Sequence, residues 1–262
     1  MGGEARRHVR IAVLSLCVLA AQQTLAAAQD IRISPTKPTE VTIYPILARA
    51  PIFGANVDIA SLPGEPGTGA SGTTDYSLNG AYMFGAIIES RRWLFDVNGV
   101  WAALSASHST PLVVVDSDTR FFNGTAGIRV AGGLFATAGF RRVVTDLDVT
   151  IKPLAKEAAL NGKPSVGVWD PMIGARYRGL LGSSLVLDLD FRGGGFGVGS
   201  DIDLSGAAAL DWRFARHWQL RAGYSLIYFK MTIDHVDFNS VARTLTAAQT
   251  LHGPEIGIGF TF

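Results

Sequence analysis

The sequence predicts an all-β fold: an antiparallel up-and-down transmembrane β-barrel of ten strands, with eight to twelve as the range. Three observations predict it. The chain begins with an export signal and ends on a period-two strand closed by Phe262. Between the two, segments of alternating apolar and polar residues are joined by connections that are short and long in turn. Composition agrees. Of 262 residues only 17% are charged and 30 are Gly, against about 25% charge in ordinary soluble domains. Lys and Arg number 23 against 22 Asp and Glu, a balance that excludes a basic nucleic-acid-binding surface, and 48% apolar residues exclude a disordered chain.

Residues 1–28 read as a cleaved signal peptide. Arg6, Arg7 and Arg10 supply the positive start, Ile11 to Ala20 the apolar stretch, and Ala26-Ala27-Ala28 the small residues at the cleavage site. The apolar stretch is too short to span a bilayer as a helix. The one cysteine, Cys17, lies in this segment, and Leu16 before it is too bulky for a lipoprotein signal. The exported part therefore has no thiolate for catalysis or zinc and no disulfide. Residues 29–40 read as a periplasmic linker and 41–262 as the barrel.

The strands follow in order. Less clean alternation marks 41–50 and 76–89. In the next segment Trp93, Phe95, Val97, Gly99 and Trp101 share one parity and Asp96 and Asn98 the other. Phe122, Ala126, Ile128 and Val130 oppose Asn123, Thr125 and Arg129. Weaker patterns cover 133–143 and 168–179. Leu185, Leu187, Leu189 and Phe191 then oppose Asp188, Asp190 and Arg192. Ile202, Leu204, Ala208, Leu210 and Trp212 oppose Asp203, Ser205, Asp211 and Arg213. Trp218, Leu220, Ala222, Tyr224, Leu226 and Tyr228 oppose Gln219, Arg221 and Ser225. Ile256, Ile258, Phe260 and Phe262 share a face of the last strand.

Connections near 90–92, 132–133, 180–183 and 214–217 are short; those at 51–75, 106–118, 144–167, 194–201 and 231–253 are long. This is the asymmetry of periplasmic turns and extracellular loops. The Gly193–Asp201 run lacks the G-x-G-x-x-G spacing and a following helix, so it reads as a tight reversal and not as a phosphate site.

Alternation alone does not say which face is wet, because a soluble lipocalin-like periplasmic carrier alternates too. Aromatic residues at strand ends (Trp93, Trp212, Phe214, Trp218, Tyr228) and a polar parity of balanced charge favour the membrane arrangement. The expected lumen network is Asp96, Arg129, Arg141, Arg176, Arg178, Asp188, Asp190, Arg192, Asp203, Asp211, Arg213 and Arg221. In so narrow a barrel it would largely plug the lumen. Arg142 falls on the lipid parity and belongs at the outer rim.

No catalytic, cofactor or metal constellation is evident. His217 falls in a short turn, and His108, His235 and His252 in long loops. Asp234-His235 with Asp237 suggests an acid–base pair of the kind used by ten-stranded omptin-type surface proteases, but no second Asp pair accompanies it. A surface hydrolase using loop histidines such as His108 or His235 is thus the alternative from another class.

Trp169-Asp170-Pro171, Ile173-Gly174-Ala175-Arg176-Tyr177, Asp190 through Gly194-Gly195-Phe196-Gly197-Val198-Gly199-Ser200-Asp201, Arg221-Ala222-Gly223-Tyr224 and His252-Gly253-Pro254 occur in order before the terminal Phe. Together they resemble a widespread group of uncharacterised bacterial outer-membrane β-barrel proteins, over roughly the C-terminal third of the chain. The resemblance implies a barrel in the cell outer membrane and brings no substrate. The expected role is structural, surface-interacting or that of a narrow pore, in a monomer. The expected partners are outer-membrane lipid, lipopolysaccharide and the insertion machinery that reads the strand ending in Phe262, with no cofactor and no nucleic acid.

Overall fold

Where apolar and polar residues alternate, an extended backbone sends the two sets to opposite faces, and this chain repeats that device along most of its length. The structure is a computed structural model that describes residues 32–33, 38–49, 52–59, 75–107, 113–151, 160–163, 165–238 and 241–262. The signal segment and His108 lie outside the described residues. The strands are β1 (Arg32–Ile33), β2 (Thr39–Arg49), β3 (Ile52–Ile59), β4 (Asp75–Ser90), β5 (Trp93–Ser107), β6 (Val113–Ala131), β7 (Leu134–Ile151), β8 (Leu160–Gly162), β9 (Ser165–Leu181), β10 (Leu185–Gly194), β11 (Ile202–Arg213), β12 (Trp218–Phe238) and β13 (Val241–Thr261).

Ten of them close an antiparallel barrel. Each principal strand pairs with the next, β7 with β9, and β13 returns to β2, so the sheet closes without a free edge, with register shifts at Tyr44/Leu47 and Ile258/Phe260. The small strands are accessories: β3 continues β2 along the upper part of β13, β8 extends the edge of β7, and β1 pairs with the foot of β9. Barrel stagger follows from the register. From Leu180 on β9 the ladder passes Val186, Asp211, Arg221, Gly257, Leu47, Met83, Val100, Phe121 and Val143 and regains β9 at Val168, twelve residues (180 to 168) from its start. Strands so staggered tilt by about 40° to the barrel axis.

The accessible surface is inverted relative to a soluble protein. Trp93 and Trp101 are each 51% exposed and Phe191 62%, whereas Asp188 is 1% exposed and Asp211 fully buried. An apolar exterior around a charged interior overturns the soluble-carrier alternative, which needs the opposite arrangement. Trp93 and Trp101 stand eight residues apart on β5. At a rise of about 3.3 Å per residue and the tilt above, that separates them by about 20 Å, close to the height of an outer-membrane apolar band. Trp212, Trp218, Phe260 and Phe262 join the lower girdle; Phe140 and Trp169, with ring centroids 5.1 Å apart, join the upper one. Arg142 lies on the outward parity with its guanidinium 5.2 Å from the Trp169 ring, so its charge sits at the interface.

The connections differ from expectation at the upper end only. The four short turns are where the sequence puts them. Much of 106–118, 144–167 and 231–253, expected as loops, is continued strand: β12 and β13 are 21 residues each and are separated by two residues. Strands of that length rise about 50 Å along a tilted axis, twice the apolar band, so their upper parts stand outside the membrane. There the outward parity meets water and turns polar, as at Asp118, Asp146 and Asp148. The period-two signal fades while the ladder continues. His252, expected in a loop, lies on β13 for the same reason.

The β10–β11 hairpin is the exception. It stops near the upper girdle in a compact turn with positive φ at Gly195 (86°), Phe196 (51°) and Gly197 (73°). Only the glycines adopt this without strain. The turn is pinned from below by Asp170, whose carboxylate accepts from the Ser200 backbone N–H at 2.7 Å and its Oγ at 2.9 Å.

At Gly139 on β7, a Cβ would overlap the Gly124 carbonyl oxygen and crowd the Thr125 Cα of the neighbouring strand. Gly139→Ala is expected to destabilise the barrel by about 1–3 kcal/mol, read as a lower midpoint in the heat-modifiable gel shift of the detergent-solubilised protein.

Candidate functional site

Charged residues on the inward parity of nine strands converge in the lower two-thirds of the lumen. Asp188 of β10 is their hub. Its carboxylate accepts from Arg176 Nε (2.8 Å) and Nη2 (2.7 Å), from Arg178 Nη1 (2.6 Å) and from Arg221 Nη1 (3.1 Å). The two-pronged contact with Arg176 uses the planar guanidinium fork, and the register brings it within reach: Arg178 lies directly opposite Asp188 on the adjacent strand and Arg176 opposite Asp190, one diagonal away on the same face.

From this hub the network spreads. Arg176 Nη1 reaches Asp96 at 2.8 Å, and Asp96 also accepts from Arg192 at 2.7 Å. Arg192 in turn pairs with Asp190 and donates to Thr125 Oγ1 at 2.7 Å. Arg221 Nη1 donates to Asp211 at 3.0 Å. Higher up, Arg141 pairs with Asp203 and donates to Asn123 Oδ1 at 2.6 Å. Asn123 donates to Asn98 at 2.7 Å, and Asn98 leads back to Asp96.

Eleven of the twelve residues expected in the lumen are brought into one connected set. Arg129 enters it through Glu89 at 3.0 Å, and Glu89 also accepts from Arg178 at 2.9 Å. The twelfth, Arg213, stands apart at the lower rim, bonded to Glu40 at 2.8 Å. Sequence reasoning missed the glutamates Glu40, Glu89 and Glu255, as well as Asp170. Glu89 and Asp170 lie on strands with weak alternation, Glu40 falls in the expected linker, and Glu255 opens the well-patterned last strand; each shares the inward parity of its neighbours, and that is the signal that finds them. Glu255 accepts from Arg221 Nε at 2.9 Å.

The lumen is not polar throughout. Above the charged set lies an apolar cluster of Met83, Val100, Phe121, Val143, Ile227, Phe229, Met231 and Leu251, with Leu47, Val166 and Val168 packed against it. Phe121 and Phe229 meet edge to face across the lumen, centroids 5.6 Å apart. Part of the cluster is a single ladder row, since Leu47, Met83, Val100, Phe121, Val143 and Val168 are successive partners on β2, β4, β5, β6, β7 and β9. A smaller cluster of Tyr44, Ile87, Leu94 and Phe135 lies low in the barrel. Burial of these rings offsets part of the desolvation cost of the ions beside them.

Of the histidines weighed as catalysts, His252 points outward from β13, its Nδ1 bonded to Tyr224 Oη at 2.6 Å. His217 holds the Thr261 carbonyl from the lower turn at 2.8 Å and stacks on Phe260. The side chains of Asp234, His235 and Asp237 lie outside the described residues. Among the described residues no group of three His, Cys, Asp or Glu is placed to hold a metal ion.

Comparison with known proteins gives the fold its setting. The chain is similar to the outer membrane protease OmpT from Escherichia coli, with a TM-score of 0.51 and 9% identity over 90% of this chain and 100% of that one. It is also similar to the translocator domain of the autotransporter NalP from Neisseria meningitidis (TM-score 0.44, 12% identity, 97% and 98% covered) and to the outer membrane protein OprG from Pseudomonas aeruginosa (0.35, 12%, 86% and 96%). No family model and no curated protein sequence matches. At such identities the likeness is one of fold. With the apolar exterior and aromatic girdles, it makes this chain an outer-membrane β-barrel.

Proposed function

We propose that this chain is a closed outer-membrane barrel whose work is done at its surface, by the tall upper hairpins that a sealed lumen holds in place. The observation that carries this reading is the filling of the lumen: the guanidinium and carboxylate groups of the central network are nearly all paired and buried, and the apolar cluster lies across the lumen above them. A general diffusion pore needs an open, polar channel. Arg142, stacked on Trp169 at the upper interface, is suited to the phosphates of lipopolysaccharide. The outward row Ile256, Ile258, Phe260 and Phe262 is suited to the insertion machinery.

The purified wild-type barrel, reconstituted in planar bilayers, is expected to give no stepwise conductance. Regular single-channel steps from the wild type would overturn the closed-barrel reading.

A further inference from the structure

Between the charged network and the apolar cluster the lumen is not filled. A cavity of about 110 Å³ lies there, floored by Asp96, Arg176 and Arg221 and roofed by Met83, Val100 and Ile227. One water needs about 10–15 Å³ of such space and two or more polar partners. This cavity has room for several. Ser225 lines it, and its Oγ, 3% exposed as a residue, has no hydrogen-bond partner in the protein. A buried hydroxyl left unpaired is costly unless water satisfies it. The wall beside it is built from small side chains, Ser205 and Ala207 of β11, so the space is a property of the sequence and not of one rotamer.

We propose that the lumen is a latent pore for small monovalent cations, closed by two seals in series with a hydrated chamber between them. The lower seal is the charged network, in which Arg221 donates to Glu255 on the adjacent strand and lies 5.6 Å from the Tyr44 ring, against a wall of small residues at Ala209, Gly223 and Gly257. The upper seal is apolar and closes by excluding water, centred on Phe121 and Phe229. Cations are the class admitted because the inward-facing charges, counted over the described side chains, do not cancel. Seven arginines (129, 141, 176, 178, 192, 213, 221) face nine acids (Glu40, Glu89, Asp96, Asp170, Asp188, Asp190, Asp203, Asp211, Glu255), a net of −2. With two seals, opening either one alone leaves the barrel shut.

The inference rests on the closed-barrel reading and is separable from it. Three variants are compared with wild type in planar bilayers under a KCl gradient: Phe121→Ser with Phe229→Ser for the upper seal, Arg221→Ser with Glu255→Ser for the lower, and all four changes together. The lower pair removes one charge of each sign and leaves Asp188 its contacts with Arg176 and Arg178, and Asp211 its contact with Arg178 at 3.6 Å. Each pair alone is expected to be silent, and the fourfold variant to give steps with a cation-selective reversal potential. Steps from one pair alone, silence from a folded fourfold variant, or an anion-selective potential would overturn the two-seal pore. Only steps from the wild type would overturn the closed barrel.

Should the fourfold variant fail to fold, Ser225→Cys reports the chamber directly with a small cationic thiol reagent. It is expected to be protected in the wild-type background and labelled from the outer side in the upper-seal variant and from the periplasmic side in the lower. Labelling in the wild-type background, or protection in both variants, would refute the arrangement.

Discussion

Asp188→Ala is expected to cost the barrel about 3–5 kcal/mol, because it leaves three buried guanidinium groups without the carboxylate they share. All three retain other partners, Arg176 with Asp96, Arg178 with Glu89 and Arg221 with Asp211 and Glu255, but all three converge on one point of the lumen, and their mutual repulsion is no longer offset there. Denaturant unfolding in detergent micelles, followed by tryptophan fluorescence, measures the loss. The matched control is Asp118→Ala. Its carboxylate also accepts from an arginine, Arg120 at 3.1 Å, and from Trp101, but on the exposed outer face above the membrane. There the ion pair is worth at most about 1 kcal/mol. Equal losses from the two variants would mean that the lumen network does not hold the barrel together.

A charge placed on the lipid face gives the second large effect. Val97 points outward on β5, four residues from Trp93 and four from Trp101, and so at the middle of the apolar band. Val97→Arg is expected to destabilise the barrel by about 2–4 kcal/mol, the cost of arginine at the bilayer midplane. Val130, equally outward but next to the short turn between β6 and β7, lies at the lower interface. Val130→Arg is expected to cost about 0–1 kcal/mol, since the guanidinium reaches headgroups and water. Reversible unfolding from phospholipid vesicles distinguishes the two. A cost at Val97 no larger than at Val130 would mean that the apolar belt is not where the tryptophan girdles put it.

The fold was legible wherever one parity met lipid and the other met charge. On β5, β10, β11 and β12 the outward residues at membrane depth are apolar and the inward row carries Asp, Arg, Ser or Gln, so period two survives in the sequence and inward and outward faces follow from it. The same parity holds eleven of the twelve expected lumen residues, which the closed barrel joins in one network. It fails in two places for one reason each. Above the membrane both faces are polar, as at Thr145, Asp146 and Asp148, and strand reads as loop. In the upper lumen both faces are apolar: Phe121 faces in and Phe122 out, Val100 in and Trp101 out, Val143 in and Val144 out. Two adjacent apolar residues carry no parity, so the upper seal left no trace in the pattern.

By itself, then, the sequence determined the class of fold, the positions of the short turns, the lipid-facing rows and the charge types that fill the lumen, because each is a local consequence of alternation. Only the closed barrel decided which charges meet. A stagger of twelve residues around ten strands brings Asp188, Glu89 and Asp96 to the same arginines from strands far apart in the chain. It also joins the row from Leu47 to Val168 to Phe229 and Leu251 on the opposite wall, and leaves an open chamber beneath them where β11 carries only small side chains. Such meetings depend on shear and closure, properties of the whole sheet that no single strand contains.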